Sequence, residues 1–263
     1  MTKEILANKS AWKILSKNRY KNFKEALQKQ DSLLSKLIEE EIGDVSGKSI
    51  IHLLCNTGAD SISLARKGAI VTGVDIVPEN IFYAKKLSYE LGIKNIDFVE
   101  SDVLELKNRH DKKYDMVFAT EGVLNWLPEL NKWAETVKSL LKENGILYLL
   151  DTHPFCLIFD REKLSKDLIE IYFPYFGSEP ERFETIGASG EEKKQENFEW
   201  MHTMGNIVNS LINAGLSIEH LNEFKDLFYD YGGMEKNKDG TYSHPLYDNK
   251  IPFMFSLKAR LKH

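Results

Sequence analysis

Residues 48–75, KSIIHLLCNTGADSISLARKGAIVTGVD, decide the fold of this chain. Ile50, Ile51, Leu53 and Leu54 form a short apolar run, the pattern of a strand buried on both faces. Asn56-Thr57-Gly58 reads as a tight turn. From Asp60 to Lys67 the spacing is helical, with Ile62, Leu64 and Ala65 inward, and Gly68 supplies a helix stop. Ile70 to Val74 is a second strand, and Asp75 stands at its carboxyl end. Strand, turn, helix and strand, closed by an acid, form the βαβ arrangement that offers a carboxylate to ribose hydroxyls.

The pattern continues downstream. Pro78 opens a helix that runs to Leu91. Ile96 to Val99 is a third strand, followed by Asp102 and Val103. Tyr114 to Ala119 is a fourth, with Thr120-Glu121-Gly122 at its tip. A helix lies within Leu124 to Leu141; Asn144-Gly145 turns the chain, and Ile146 to Leu150 is a fifth strand ending at Asp151-Thr152-His153. Alternation of this kind predicts an α/β, doubly wound and mostly parallel Rossmann-like sheet with right-handed crossovers. Ligands then lie outside the carboxyl ends of the strands. Each acid there has a second reading as a helix N-cap, because Asp before a helix is common.

The flanks divide into expected functions. Residues 1–46 carry apolar residues at helical intervals and predict a pair of helices, either packed on the sheet or acting as a cover whose Trp12 and Tyr20 close over a ligand. Residues 47–153 form the core just described. Residues 154–199 mix aromatics with Pro and Gly and predict a cap insertion before the sixth strand, with its Glu-Lys run, EEKKQE, as a solvated loop. Residues 200–263 predict a last helix and strands six (Leu216 to Phe224) and seven (Ile251 to Leu257), the seventh antiparallel. The whole reads as one domain on a seven-stranded sheet.

Composition narrows the function. A net charge of -5 without a long basic run argues against a nucleic-acid partner. Cys55 and Cys156 are the only cysteines and have no paired spacing, so neither a disulfide framework nor a metal site is expected, and a cytoplasmic setting fits. No stretch approaches the ~18 apolar residues of a membrane span.

The arrangement resembles the class I S-adenosylmethionine-dependent methyltransferases, from about residue 48 onward. The strings HLLCNTGADSISLARKGAIVTGVD, GVLNWLPELNKWA and EWMHTMGNIVNSLINAGL are similar to a bacterial small-molecule branch of that superfamily, and NKSAWKIL to its first helix. The family's first motif carries an acid on strand one and three glycines in the turn. Here His52 holds the acid's place, and Leu54 and Asn56 hold two glycine places; Gly58 alone remains. His52 is thus either a hydrogen-bonded structural histidine or a cofactor contact. The resemblance implies that Asp75 grips the ribose hydroxyls, Ile76 walls the adenine, Asp102 with Val103 receives the adenine edge, and Thr120 and Glu121 face the methionine half. Asn56 and Gly58 would bring backbone close to the cofactor.

The implied activity is methyl transfer from S-adenosylmethionine to a small-molecule acceptor, leaving S-adenosylhomocysteine. The sulfonium is already activated, so the protein chiefly aligns the reactants and excludes water. A base serves if the acceptor carries a proton; His202 and His153 are the candidates, each with a structural alternative. Trp126, Tyr172, Tyr175 and Trp200, with Trp12 and Tyr20, are candidates for an aromatic acceptor pocket, or plain packing. A monomer or homodimer is expected. The alternatives are a cofactor-binding protein without catalysis and a nicotinamide-dependent oxidoreductase, the latter disfavoured because the turn lacks G-x-G-x-x-G.

Overall fold

The computed structural model describes residues 1–187 and 192–261. Seven strands form the central sheet: β1 (Ser49–Leu53), β2 (Ile70–Asp75), β3 (Ile96–Glu100), β4 (Tyr114–Thr120), β5 (Leu141–Thr152), β8 (Leu216–Phe224) and β11 (Met254–Leu261). Their order is β3-β2-β1-β4-β5-β11-β8. The first five run parallel, while β11 is antiparallel to both neighbours. Order reverses between β1 and β4, which places a crevice at their carboxyl ends.

Strand residues alternate between two cores. Ile51, Val117, Leu147 and Leu149 face α5 (Leu130–Leu140) and α7 (Met204–Asn213). Ile50, Met116, Phe118 and Tyr148 face α2 (Lys36–Ile42) and α3 (Ala59–Arg66). With both faces covered, the strand bodies are continuously apolar, as the sequence run over 50–54 required. Further out, α1 (Lys3–Lys29) rests on α3 and α4 (Pro78–Glu90) through Tyr20, Leu27, Ile62 and Leu87.

Three boundaries differ from the sequence reading. β5 begins before the Asn144-Gly145 turn, which becomes an irregularity within the strand: Asn144 has φ 60°, and the pairing with β4 jumps from Tyr114↔Leu141 to Met116↔Ile146. Strand seven pairs from Met254 rather than Ile251, since Pro252 has no N–H for the ladder. The Glu-Lys run is not a loop: from Lys193 it forms β7 (Lys193–Glu199), antiparallel to β6 (Glu181–Ile186), while Glu191 lies outside the described residues. Before this hairpin comes a short α6 (Arg161–Leu164); a second small hairpin, β9 (Glu235–Lys236) and β10 (Tyr242–Ser243), lies between β8 and β11. No helix among the described residues is long and apolar enough to cross a membrane.

Candidate cofactor site

The ends of β1, β2 and β4 and the residues after β3 open into one cavity of about 250 Å3, roofed by α1. That is near the lower bound of ~300 Å3 for small-molecule sites. The floor is the turn after β1. Leu54 and Asn56 have φ of 55° and 51°, so the two residues in glycine places hold left-handed backbone. Asn adopts this readily, whereas Leu is strained by ~1–2 kcal/mol. Partners hold the turn: Asn56 N donates to Asp75 Oδ2 at 2.9 Å, and Thr57 N to Asn56 Oδ1 at 2.8 Å.

Asp75 thus caps the turn as well as lining the cavity. Its Oδ1 accepts from Val77 N at 2.8 Å and Asn80 Nδ2 at 3.2 Å. Asn80 in turn accepts from Ser16 Oγ of α1 at 2.6 Å, so one carboxylate ties turn, helix and roof together. Burial raises the Asp75 pKa to about 6 against the opposing pull of these hydrogen bonds. A carboxylate offers about four acceptor positions, and three are used within the protein.

Asp102 also has two attachments: it lines the cavity, and its Oδ1 accepts from Leu104 N at 3.0 Å. Ile76 and Val103 supply apolar wall. His52 lines the floor, with Nδ1 2.8 Å from Ser61 Oγ and its ring edge-on to Phe118 at 5.1 Å. Burial lowers its pKa to about 3, so the imidazole is neutral at physiological pH. Gly58 does not line the cavity; a Cβ there would stand 2.8 Å from Phe98 Cζ, and its φ is +83°. Its glycine is required by packing and helix entry, not by approach to a ligand.

Acid absent from strand one reappears nearby. Thr120 Oγ1 donates to Asp60 Oδ2 at 3.4 Å, and Thr120, Asp60 and Glu121 all line the cavity. Glu121 has φ 64°, lines the cavity and is exposed there. Burial raises the pKa of both carboxyls, and Asp60 and Asp151 raise that of Glu121 further. Sequence reasoning missed Asp60; an acid in the first turn of a helix usually only complements the helix dipole.

The roof carries Trp12, which meets Trp126 edge-on at 5.1 Å, with the Arg19 guanidinium 4.7 Å from the Trp12 ring centre. All three line the cavity, as does Lys9. The other expected aromatics do not. Tyr20 stacks on Tyr83 at 5.0 Å and donates to Glu90 at 2.6 Å, fastening α1 to α4. Tyr172 is exposed, Tyr175 OH accepts from Met204 N at 3.1 Å, and Trp200 N donates to Asn125 O at 2.8 Å. None of these three lines the cavity.

Their place is explained by the β6–β7 hairpin, which lies behind α1 rather than over the cavity. Asn8 of α1 exchanges two 2.7 Å hydrogen bonds with the Phe198 backbone, and Ile186 packs on Ala11 and Leu15. The backbone bond from Trp200 to Asn125 then holds the end of the hairpin against the segment after β4.

Neither expected histidine reaches the cavity. His202 Nε2 lies 2.8 Å from Leu127 O, behind the cavity wall, and its ring faces a separate polar groove with Asn206 and Asn209. His153 is buried, with Nδ1 accepting from Phe155 N at 3.1 Å and Nε2 2.9 Å from Glu223. Burial lowers the pKa of both. Side chains that leave a strand tip sideways, into neighbouring loops, cannot be told from inward ones by spacing alone.

A sheet of this order, with acids gathered at the ends of its second, third and fourth strands, is the architecture of the class I S-adenosylmethionine-dependent methyltransferases, as the sequence resemblance implied. The chain belongs to the family described as "Methyltransferase domain", whose model matches residues 44–210, more than half of its length. Among curated proteins it is similar to the ubiquinone biosynthesis O-methyltransferase of Klebsiella pneumoniae (strain 342), 32% identical over 111 residues. That match covers 42% of this chain and 45% of the relative, so it spans about half the length of the relative. Among solved structures, an S-adenosylmethionine-dependent methyltransferase from Clostridium acetobutylicum superposes with a TM-score of 0.58 at 18% identity, covering 86% of this chain and 89% of that one. One from Listeria monocytogenes gives 0.57 at 16%, covering 86% and 97%. Those two likenesses concern the fold.

Proposed function

We propose that this chain binds S-adenosylmethionine in the α1-roofed cavity and transfers its methyl group to a small-molecule acceptor. The observation that carries the reading is the distribution of acids around one enclosed space: Asp75 and Asp102 on one side, Asp60 and Glu121 on the other. Two separated acids suit the hydroxyls and amine of an adenosine, and Ile76 and Val103 suit its flat faces. The second pair suits a cation. Burial and like charge make both carboxyls hold protons more tightly than usual, and a positive ligand reverses that preference. The site thus fits a ligand with a neutral polar end and a positively charged end, as S-adenosylmethionine has.

When bound, the cofactor supplies an activated methyl group. The chain's own contribution is placement. Asp75 and Asp102 fix the adenosine end, Asp60 and Glu121 counter the positive end, and Thr120 orients Asp60. Neutral His52 buries no charge under them. Trp12 and Trp126 form the wall nearest the roof and exclude water, and Arg19 stacks on that wall. Alignment of this kind supplies up to roughly 7–11 kcal/mol of barrier lowering. His202 and His153 are given no proton-transfer role, because neither lines the cavity.

The experiment is incubation with methyl-labelled S-adenosylmethionine and a fractionated metabolite extract. Label in a small organic product, reduced with Asp75→Asn at subsaturating cofactor, is the expected result. Retention of all label in the cofactor with every fraction would count against transfer and favour the non-catalytic alternative.

A further inference from the structure

Beyond β5 the chain builds a second polar site. Arg161 opens α6, and the segment after β8 passes directly against it: a Cβ on Gly232 would stand 2.5 Å from Arg161 O. That close passage sets Tyr229 and Tyr231 around the guanidinium. Its carbon lies 4.5 Å from the Tyr231 ring centre and 5.5 Å from that of Tyr229, and Nη2 donates to Tyr229 Oη at 3.1 Å. Tyr231 is buried and donates to Phe159 O at 3.3 Å, so the platform is fixed.

The guanidinium is not neutralised. Among the described residues no carboxylate lies within 4.0 Å of it, whereas Arg182 and Arg260 grip Glu196 and Glu219 at 2.6 and 2.5 Å. Glu199 is the acid in its electrostatic range, and it is engaged by Asn125 Nδ2 at 2.7 Å. Burial raises the Glu199 pKa against the opposing pull of Asn125 and Arg161. An arginine has five N–H groups in a planar fork that matches oxyanions; one is used here.

The site is linked to the cofactor cavity through shared electrostatics: Asp151 acts on both Glu121 of the cavity and Glu199, and Glu199 acts on Arg161. Trp126 lines the cavity, and Asn125 beside it holds Glu199. Asn125, Asp151, Thr152, Trp200 and His202 line a small void of about 10 Å3 at this segment.

We propose that Arg161, with Tyr229 and Tyr231, is an oxyanion subsite that takes a carboxylate or phosphate of the methyl acceptor. Calling the ligand an acceptor rests on the methyl-transfer reading; the subsite itself does not. Its aromatic walls hold the guanidinium beside two ring faces, and its position past Trp126 would fix the far end of an acceptor whose nucleophile enters the cavity.

The test uses the full chain saturated with S-adenosylhomocysteine and titrated with benzoate, phenyl phosphate and uncharged benzamide, followed by ligand-observed NMR. The expected result is saturable binding of at least one anion, tenfold or more tighter than benzamide. Arg161→Met should abolish that preference and Arg161→Lys should keep part of it, with S-adenosylhomocysteine affinity unchanged in both. Preference for benzoate assigns a carboxylate; preference for phenyl phosphate assigns a phosphate. Equal binding of anions and benzamide, or a preference that survives Arg161→Met, would overturn the subsite. Absence of S-adenosylhomocysteine binding would instead overturn the methyl-transfer reading, and the anion preference would still be measurable on the free protein.

Discussion

Replacing Asp75 by Asn tests the most connected group of the site. The carboxylate is 7% exposed and its pKa is raised from 3.8 to about 6. In the unfolded chain the same group ionises near 3.8, so the folded state binds the proton more tightly. The associated stability is therefore present below that unfolded value and is lost as pH rises toward 6. Integrated from about pH 4 to about pH 8, the loss is about 2 kcal/mol. Asn cannot ionise and shows no such loss. It also leaves one of the donors from Asn56, Val77 and Asn80 without an oxygen, which costs ~1–3 kcal/mol at any pH. Urea unfolding of both proteins across this range should give a wild-type advantage at about pH 4 that shrinks by about 2 kcal/mol by about pH 8. Parallel curves would refute the burial of an ionising carboxylate at this position. The same variant should bind S-adenosylhomocysteine roughly 10–100-fold more weakly at about pH 7.5, from the loss of ~1.5–3 kcal/mol of charged hydrogen bonding.

Other perturbations separate cofactor contacts from packing. Asp60→Asn or Glu121→Gln should weaken S-adenosylmethionine more than S-adenosylhomocysteine, which lacks the sulfonium charge; calorimetry showing equal affinities for both variants and wild type would contradict the acid pair's role. Because both carboxyls bind protons more tightly than usual, S-adenosylmethionine binding should release protons and strengthen with rising pH, as calorimetry in buffers of different ionisation enthalpy would report. Gly58→Ala should destabilise the fold by ~2–4 kcal/mol, combining left-handed strain with overpacking against Phe98; a loss below ~1 kcal/mol would show that the position relaxes freely. Ser16→Ala removes the donor to buried Asn80, costing ~1–3 kcal/mol, and hydrogen exchange should show α1 opening more often; unchanged exchange would mean the roof is held elsewhere.

The sheet was legible because its signals are local. Apolar runs at 50–54 and 114–119, each followed by polar tip residues, specify buried strands and a ligand edge without reference to the rest of the chain. The same logic placed Asp75, Asp102, Thr120 and Glu121 around one cavity. The family resemblance located the departures at Leu54 and Asn56, which the fold accommodates by holding both in left-handed backbone. What was illegible depends on tertiary direction. Whether His153 turns toward the cavity or toward Glu223 is set by β8, which comes much later in the chain and joins the sheet through β11. Tyr172, Tyr175 and Trp200 carry an aromatic signal that serves packing of the hairpin segment equally well. Asp60 was hidden by its ordinary position in a first helical turn, and only the bend of the chain after Thr120 brings Glu121 toward it.

The central claim is that an adenosine-bearing, positively charged cofactor occupies the cavity beneath α1. Calorimetric titration of the wild-type chain with S-adenosylmethionine, S-adenosylhomocysteine and NAD tests it most directly. The account predicts one site for each of the first two, competing with one another, and no measurable heat with NAD. Tighter binding of NAD, or no binding of either methionine-derived ligand, would contradict it.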